Sequence, residues 1–184
     1  MTSLVLWLTG LPCSGKSTVA SLVTDALTER GVTVRLLDGD ALRRTLSADL
    51  GFSPEARVEQ ARRAAHLAKE ALEAGELPVV AVISPSVIAR DAARAVLGDA
   101  MAEVWTDAPV EVCEARDVKG MYARARRGEL QDFTGVSAPY EPPADPALHL
   151  DTANEAPAES ARRVLELAEA RGALPVRASS TRSA

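Results

Sequence analysis

The chain has 184 residues, 47% of them hydrophobic and 26% charged, with a formal net charge of −5. That length favours one domain with a substantial core, and the acidic balance argues against a general nucleic-acid or anionic-membrane surface. Aromatic residues make up only 3% of the chain, so aliphatic side chains and alanine must fill the interior, and each ring needs a reason.

Leu4–Thr9 reads as a buried strand, and Gly10-Leu11-Pro12-Cys13-Ser14-Gly15-Lys16-Ser17 follows it directly. This G-x-x-x-x-G-K-S spacing, between a strand and an apolar-periodic helix, is that of a phosphate-binding loop. Backbone N–H groups from Gly10, Pro12–Gly15 and Thr18 would line the cradle, short only of proline's missing donor. Lys16 would reach the β- and γ-phosphates, and the Ser17 hydroxyl would ligate Mg²⁺. The motif therefore predicts ATP and Mg²⁺ as ligands.

The following helix spans Ser17–Arg30, with Val19, Leu22, Val23 and Leu27 on one face and Gly31 closing it. Val32–Leu37 is the second strand and runs into Asp38-Gly39-Asp40, with Arg43 and Arg44 beyond. Two carboxylates at the carboxyl end of a strand would enter the crevice where doubly wound folds bind ligands. One of the two could hold Mg²⁺ through water, while the other accepts a proton from an attacking hydroxyl. The competing reading is an Asx turn that caps a helix, with solvated arginines.

Ser53-Pro54 starts a helix that runs to about Ala74, and Gly75 follows it. Pro78–Ile83 is the third strand, a helix continues through Leu97, and Ala102–Thr106 is the fourth strand. A short helix covers Val110–Arg116; Leu148–Leu150 forms a last strand and Ala156–Arg171 the closing helix. Alternating strands and helices imply an α/β fold, with a parallel sheet covered on both faces. The long stretch Asp117–Asp151 carries Lys119, Tyr122, Arg124, Arg126 and Arg127, then four prolines. It reads as a basic lid, about residues 117–147, over the active site of a single domain spanning 1–175. Residues 176–184 read as a disordered tail.

Cys13 and Cys113 provide neither a disulfide framework nor metal-ligand spacing, and Cys113 reads as core. His66 sits in a helical stretch and His149 in a short strand, and both read as structural. No apolar run approaches a membrane span, and the first strand begins close to Met1, so the expected address is cytoplasmic.

In Gly10–Thr18, Leu37–Asp40 with Arg43, Leu50-Gly51-Phe52-Ser53 with Arg57, Ile83-Ser84-Pro85, Glu111–Asp117, Lys119–Tyr122, Ala125-Arg126 and Phe133–Pro143, the chain resembles the adenylyl-sulfate kinases. The lid run from Lys119 to Pro143 is the most particular of these. The resemblance implies transfer of the ATP γ-phosphoryl to the ribose 3′-hydroxyl of adenylyl sulfate. It also implies that Phe52 and Phe133 sandwich the acceptor's adenine, and that Arg43, Arg57 and Lys119 take its phosphosulfate. Asp40 would be the base and Asp38 would stand beside the metal; Arg116 would lie over the adenine of ATP, Ile83 and Gln60 would line the acceptor, and Ser84 would position it. The chain departs from the family pattern at Ala41, Ala56, Gln60, Val82, Ser86, Val87, Ala89 and Val118, mostly on the acceptor side. From the residues alone, another hydroxyl-bearing, nucleotide-like acceptor stays open, as does a nucleotide-binding module without turnover. Expected partners are small nucleotides, with neither nucleic acid nor membrane, and helices flanking the acceptor site could form a homodimer face.

Overall fold

The computed structural model describes residues 3–174. The expected tail at 176–184 lies outside them. Five parallel strands form one sheet in the order β2-β3-β1-β4-β5. They are β1 Val5–Thr9, β2 Val34–Asp38, β3 Leu77–Ala81, β4 Met101–Asp107 and β5 Leu148–Asp151. Register pairs Leu6 with Val79 on one side of β1 and with Ala102 on the other.

Side chains alternate across a strand, so β1 feeds two cores. Leu4, Leu6 and Leu8 join Val19, Val23 and Leu27 of α1 (Lys16–Glu29) and Val164 and Leu165 of α7 (Pro157–Ala170). Val5 and Trp7 face α3 (Pro54–Glu73) and α4 (Val87–Leu97) on the opposite side. There α3 presents Ala61, Ala64, Ala65 and Ala68, and α4 answers with Ala89 and Ala93. Methyl-sized contacts let these helices approach closely, which is how a chain poor in rings still closes its interior.

Most sequence-read elements appear with bounds shifted by one or two residues, as fraying ends do. Ser53 caps α3 as expected, its Oγ accepting from the Ala56 N–H at 3.2 Å. Leu22 departs from expectation: it is 37% exposed, and Ala20 holds the inward position instead. Two short helices within stretches read as loops are α2 (Gly39–Arg44) and α6 (Met121–Arg126); α5 (Val110–Arg116) lies between β4 and the lid. The lid carries a third small core of Tyr122, Ala125 and Phe133 with Ala108 and Cys113, and Tyr122 and Phe133 meet edge to face at 5.0 Å. No helix among the described residues is long and apolar enough to cross a membrane.

Candidate active site

A cleft of 750 Å³ opens at the carboxyl ends of the central strands, between the phosphate loop, α2, the start of α3 and the lid. Its loop wall is pinned from behind. The Ser14 hydroxyl meets Thr106 Oγ1 at 2.7 Å, and Thr106 in turn donates to the Thr9 carbonyl at 3.0 Å. The Thr152 hydroxyl lies 2.7 Å from the Ser14 carbonyl. A Cβ on Gly10 would sit 2.4 Å from the Thr106 carbonyl oxygen, so only glycine fits that approach.

Lys16 is nearly enclosed, and its ammonium donates to the carbonyls of Gly10 at 2.9 Å and Leu11 at 2.6 Å. Burial pulls its pKa from 10.5 down to about 8, although Asp40 and Asp38 act the other way. This is a cation without a full counter-charge, turned back on its own loop.

Asp38 uses its two carboxylate oxygens differently. Oδ1 accepts from the Asp40 and Ala41 N–H groups at 3.0 and 3.2 Å and so caps α2. Oδ2 accepts the Ser17 hydroxyl at 2.7 Å. The Asx-turn cap and the carboxylate beside the phosphate-loop serine are therefore the same residue. The donor set fits Mg²⁺, which takes hard oxygen ligands and commonly keeps one or two protein groups beside substrate phosphates and water. No group of three or more His, Cys, Asp or Glu side chains able to hold a metal occurs among the described residues, so such an ion would depend on the nucleotide.

Arg43 and Arg57 lie on the opposite wall. Arg43 donates to the carbonyls of Leu50 at 3.1 Å and Gly51 at 2.5 Å, and its guanidinium covers the Phe52 ring at 4.6 Å. Arg57 donates to the carbonyls of Phe52 and Asp132 and to Thr134 Oγ1. Burial lowers the pKa of both, and in Arg43 the neighbouring Arg57 charge adds to the effect. Among the described residues neither forms an ion pair. Two half-buried guanidiniums hydrogen-bonded to neutral oxygens leave positive charge in the cleft for an anion to balance.

The remaining predicted residues divide between cleft and scaffold. Phe52 is 56% exposed and faces the cleft, whereas Phe133 lines it while packing on Tyr122 at 8% exposure. Phe133 is thus both a wall of the cleft and part of the lid core. Lys119 reaches across from the lid to pair with Asp40. Arg116 donates to the carbonyls of Cys13 at 3.4 Å and Thr152 at 2.5 Å. Gln60 donates to the Gly39 carbonyl at 3.3 Å. Pro12, Cys13, Gly15, Ser17, Thr18, Ile83 and Ser84 line the cleft. Ser84 turns its hydroxyl inward, accepting from Trp7 Nε1 at 3.2 Å and donating to Thr9 Oγ1 at 3.0 Å. That geometry suits positioning rather than a free nucleophile. His149 stacks on Trp105 at 4.5 Å, and neither it nor His66 lines the cleft.

Sequence reading missed the residues that support this site from outside the motifs. Thr106 and Thr152 brace the loop, and Arg90 reaches the Ser84 carbonyl at 3.1 Å. No local pattern marks them, because each acts on a segment far away in sequence.

Residues 2–151 match the family profile described as adenylylsulphate kinase. The chain is 51% identical over 148 residues to the adenylyl-sulfate kinase of Paraburkholderia xenovorans, covering 80% of this chain and 83% of that one. It is 47% identical over 167 residues to the adenylyl-sulfate kinase of Halothermothrix orenii, covering 91% and 90% respectively. Its fold matches that of the Mycobacterium tuberculosis APS kinase CysC in complex with AMPPNP and APS, with a TM-score of 0.88 and 44% identity. That match covers 91% of this chain and 98% of the other.

Proposed function

The chain belongs to the adenylylsulphate kinase family, and from that premise we propose that it phosphorylates the 3′-hydroxyl of adenylyl sulfate with ATP, releasing 3′-phosphoadenylyl sulfate and ADP. The observation that carries this reading is the pair Arg43 and Arg57, two guanidiniums that form no ion pair among the described residues and share the cleft with the phosphate loop. A phosphosulfate supplies the missing negative charge, while the triphosphate occupies the loop.

In this reading the work is positioning and charge neutralisation, as in-line phosphoryl transfer requires. Lys16 leaves the Gly10 and Leu11 carbonyls for the β- and γ-phosphate oxygens, where its charge regains a partner. Ser17 and Asp38 would hold Mg²⁺, which would supply positive charge against the negative charge that builds during transfer. Asp40 orients the acceptor hydroxyl and takes its proton as the O–P bond forms. Lys119 moves from Asp40 to the acceptor's anion, which frees that carboxylate for its task. Phe52 and Phe133 offer ring faces to the acceptor's adenine, and Arg116 lies beside the adenine of ATP. Closure of the lid excludes water, so the γ-phosphoryl reaches the alcohol instead of being hydrolysed. The departures at Ala41, Ala56 and Gln60 alter the surround of this pocket without removing its cations.

Incubation with ATP, Mg²⁺ and adenylyl sulfate, followed by chromatography, tests the reading. Stoichiometric ADP and 3′-phosphoadenylyl sulfate support it, whereas ADP formed only with another alcohol, or none at all, defeats it. We further read the chain as a cytoplasmic homodimer. Light scattering giving the mass of a single chain, or recovery in a membrane fraction, would contradict that.

A further inference from the structure

A buried charge cluster lies behind the acceptor wall, outside the cleft. Arg90 of α4 is 3% exposed and Glu103 of β4 is 5% exposed. Arg90 Nε approaches Glu103 Oε1 at 2.9 Å, a charge contact whose N–H is not aligned for a hydrogen bond. The other carboxylate oxygen accepts from Arg94 at 2.7 Å. Replacing such a pair with apolar residues commonly leaves stability unchanged or improved, so stability alone is a weak reason for its presence.

The other end of the Arg90 guanidinium suggests a use. Its NH1 donates to the Ser84 carbonyl at 3.1 Å, and its plane lies 5.9 Å from the centre of the Tyr140 ring. Ser84 has a φ of 37°, a conformation that serine adopts only when its surroundings enforce it. Thr9 Oγ1 sits among these groups. It donates to the Ile83 carbonyl at 2.7 Å and lies 3.0 Å from both the Ser84 and Tyr140 hydroxyls. The chain returning from the lid is tied down beside them. The Glu141 N–H donates to the Pro85 carbonyl at 2.8 Å, and Glu141 Oε2 accepts from the Val87 N–H at 2.7 Å. The acceptor wall at Ile83-Ser84-Pro85 and the returning end of the lid thus share one hydrogen-bonded knot, buried at Thr9, Ser84 and Arg90 and exposed at Val87 and Glu141.

We propose that Arg90, held by Glu103, is a positioning residue for the phosphoryl acceptor, fixing the Ser84 carbonyl and the Tyr140 ring so that wall and lid keep a single relative geometry. It touches no substrate, and its role in turnover rests on the adenylyl-sulfate kinase reading given above. A lysine at this position keeps the charge but has no planar fork to serve carboxylate, carbonyl and ring together.

The test uses the full chain with three changes: Arg90→Lys, Tyr140→Phe, and the apolar pair Arg90→Met with Glu103→Leu. The apolar pair removes the donor to Ser84 without stranding a buried carboxylate, and the two single changes serve if it fails to fold. Losing one hydrogen bond to a charged group predicts an acceptor KM about tenfold higher in each Arg90 variant, with the ATP KM within about twofold of the parent. The chain has two tryptophans, and only the Trp7 indole N–H bonds to Ser84. Its amide-type NMR resonance should shift in the Arg90 variants while that of Trp105 stays in place. A folded Arg90 variant with the parental acceptor KM and an unmoved Trp7 resonance overturns the proposal. So does an equal rise in both KM values, which is the signature of general loosening. If the parent protein phosphorylates no adenylyl sulfate, the functional reading fails instead, and the Trp7 resonance still decides the Arg90–Ser84 link.

Discussion

Lys16 and the two phenylalanines show how far a single side chain's environment sets its chemistry. Burial lowers the Lys16 pKa to about 8 from 10.5. At pH 7 the ammonium is charged in both folded and unfolded chains, and its burial cost is fully present. Between about pH 8 and 10.5 the unfolded chain binds more protons than the folded one, so stability rises with pH across that window. The full swing is on the order of 3 kcal/mol. Urea unfolding of the nucleotide-free protein should therefore show a midpoint that climbs from pH 7.5 to 10 relative to Lys16→Met. Parallel pH profiles for the two proteins would show that the ammonium is solvated. The phenylalanines separate by burial: Phe52→Ala should raise the acceptor KM with little change in melting temperature, because its ring is more than half exposed. Phe133→Ala should raise the same KM and also cost about 3 kcal/mol of stability, because it empties part of the lid core. Equal thermal losses from the two changes would contradict this division.

At the scale of elements, α2 exists because Asp38 caps it, and the same cap aims Asp40 and Arg43 into the cleft from the first turns of a six-residue helix. Asp38→Asn keeps an oxygen for the Asp40 and Ala41 N–H groups but removes the charge beside Ser17. It should leave stability within a few tenths of a kcal/mol while raising the Mg²⁺ concentration needed for half-maximal rate about tenfold. Asp38→Ala loses the cap as well and should cost about 1 kcal/mol more. A magnesium titration of each variant beside its unfolding curve separates the two functions, and unchanged magnesium dependence in Asp38→Asn removes the metal role. The helix itself was hard to see in sequence. Six residues between a strand and a loop are too few for a hydrophobic period, and Asp-Gly also begins many turns.

Across the whole molecule, the lid is docked on the phosphate loop and on α3 rather than standing open. Tyr122 bonds to Pro12, Arg57 to Asp132 and Thr134, and Lys119 to Asp40. The last pair is more than half exposed on both sides, and exposed pairs of this kind contribute under about 1 kcal/mol. An incoming anion can displace it at little cost. Lys119→Ala should accordingly make trypsin cleave α6, at Arg124 or Arg126, only about two- to fivefold faster in the ligand-free protein. A change of a hundredfold would make Lys119 the main fastening of the lid, and no change would leave the docking to Tyr122 and Arg57.

The amino-acid order by itself determined the phosphate loop, the capped start of α3, the alternating α/β plan and the pairing of Asp38 with Asp40, because each depends on spacing within a few residues. It also marked Arg43, Arg57 and Lys119 as anion-binding candidates through their place in recognisable runs. The tertiary structure alone decided that Asp38 divides its two oxygens between a helix cap and Ser17, that Phe133 is both wall and core, and that Lys16 lies folded back on its loop. It alone brought Thr106 and Thr152 behind the loop, and Arg90 behind Ser84. Those facts depend on contacts between segments separated by up to 138 residues. Burial and charge balance at such contacts are properties of the packed whole, which no local spacing encodes.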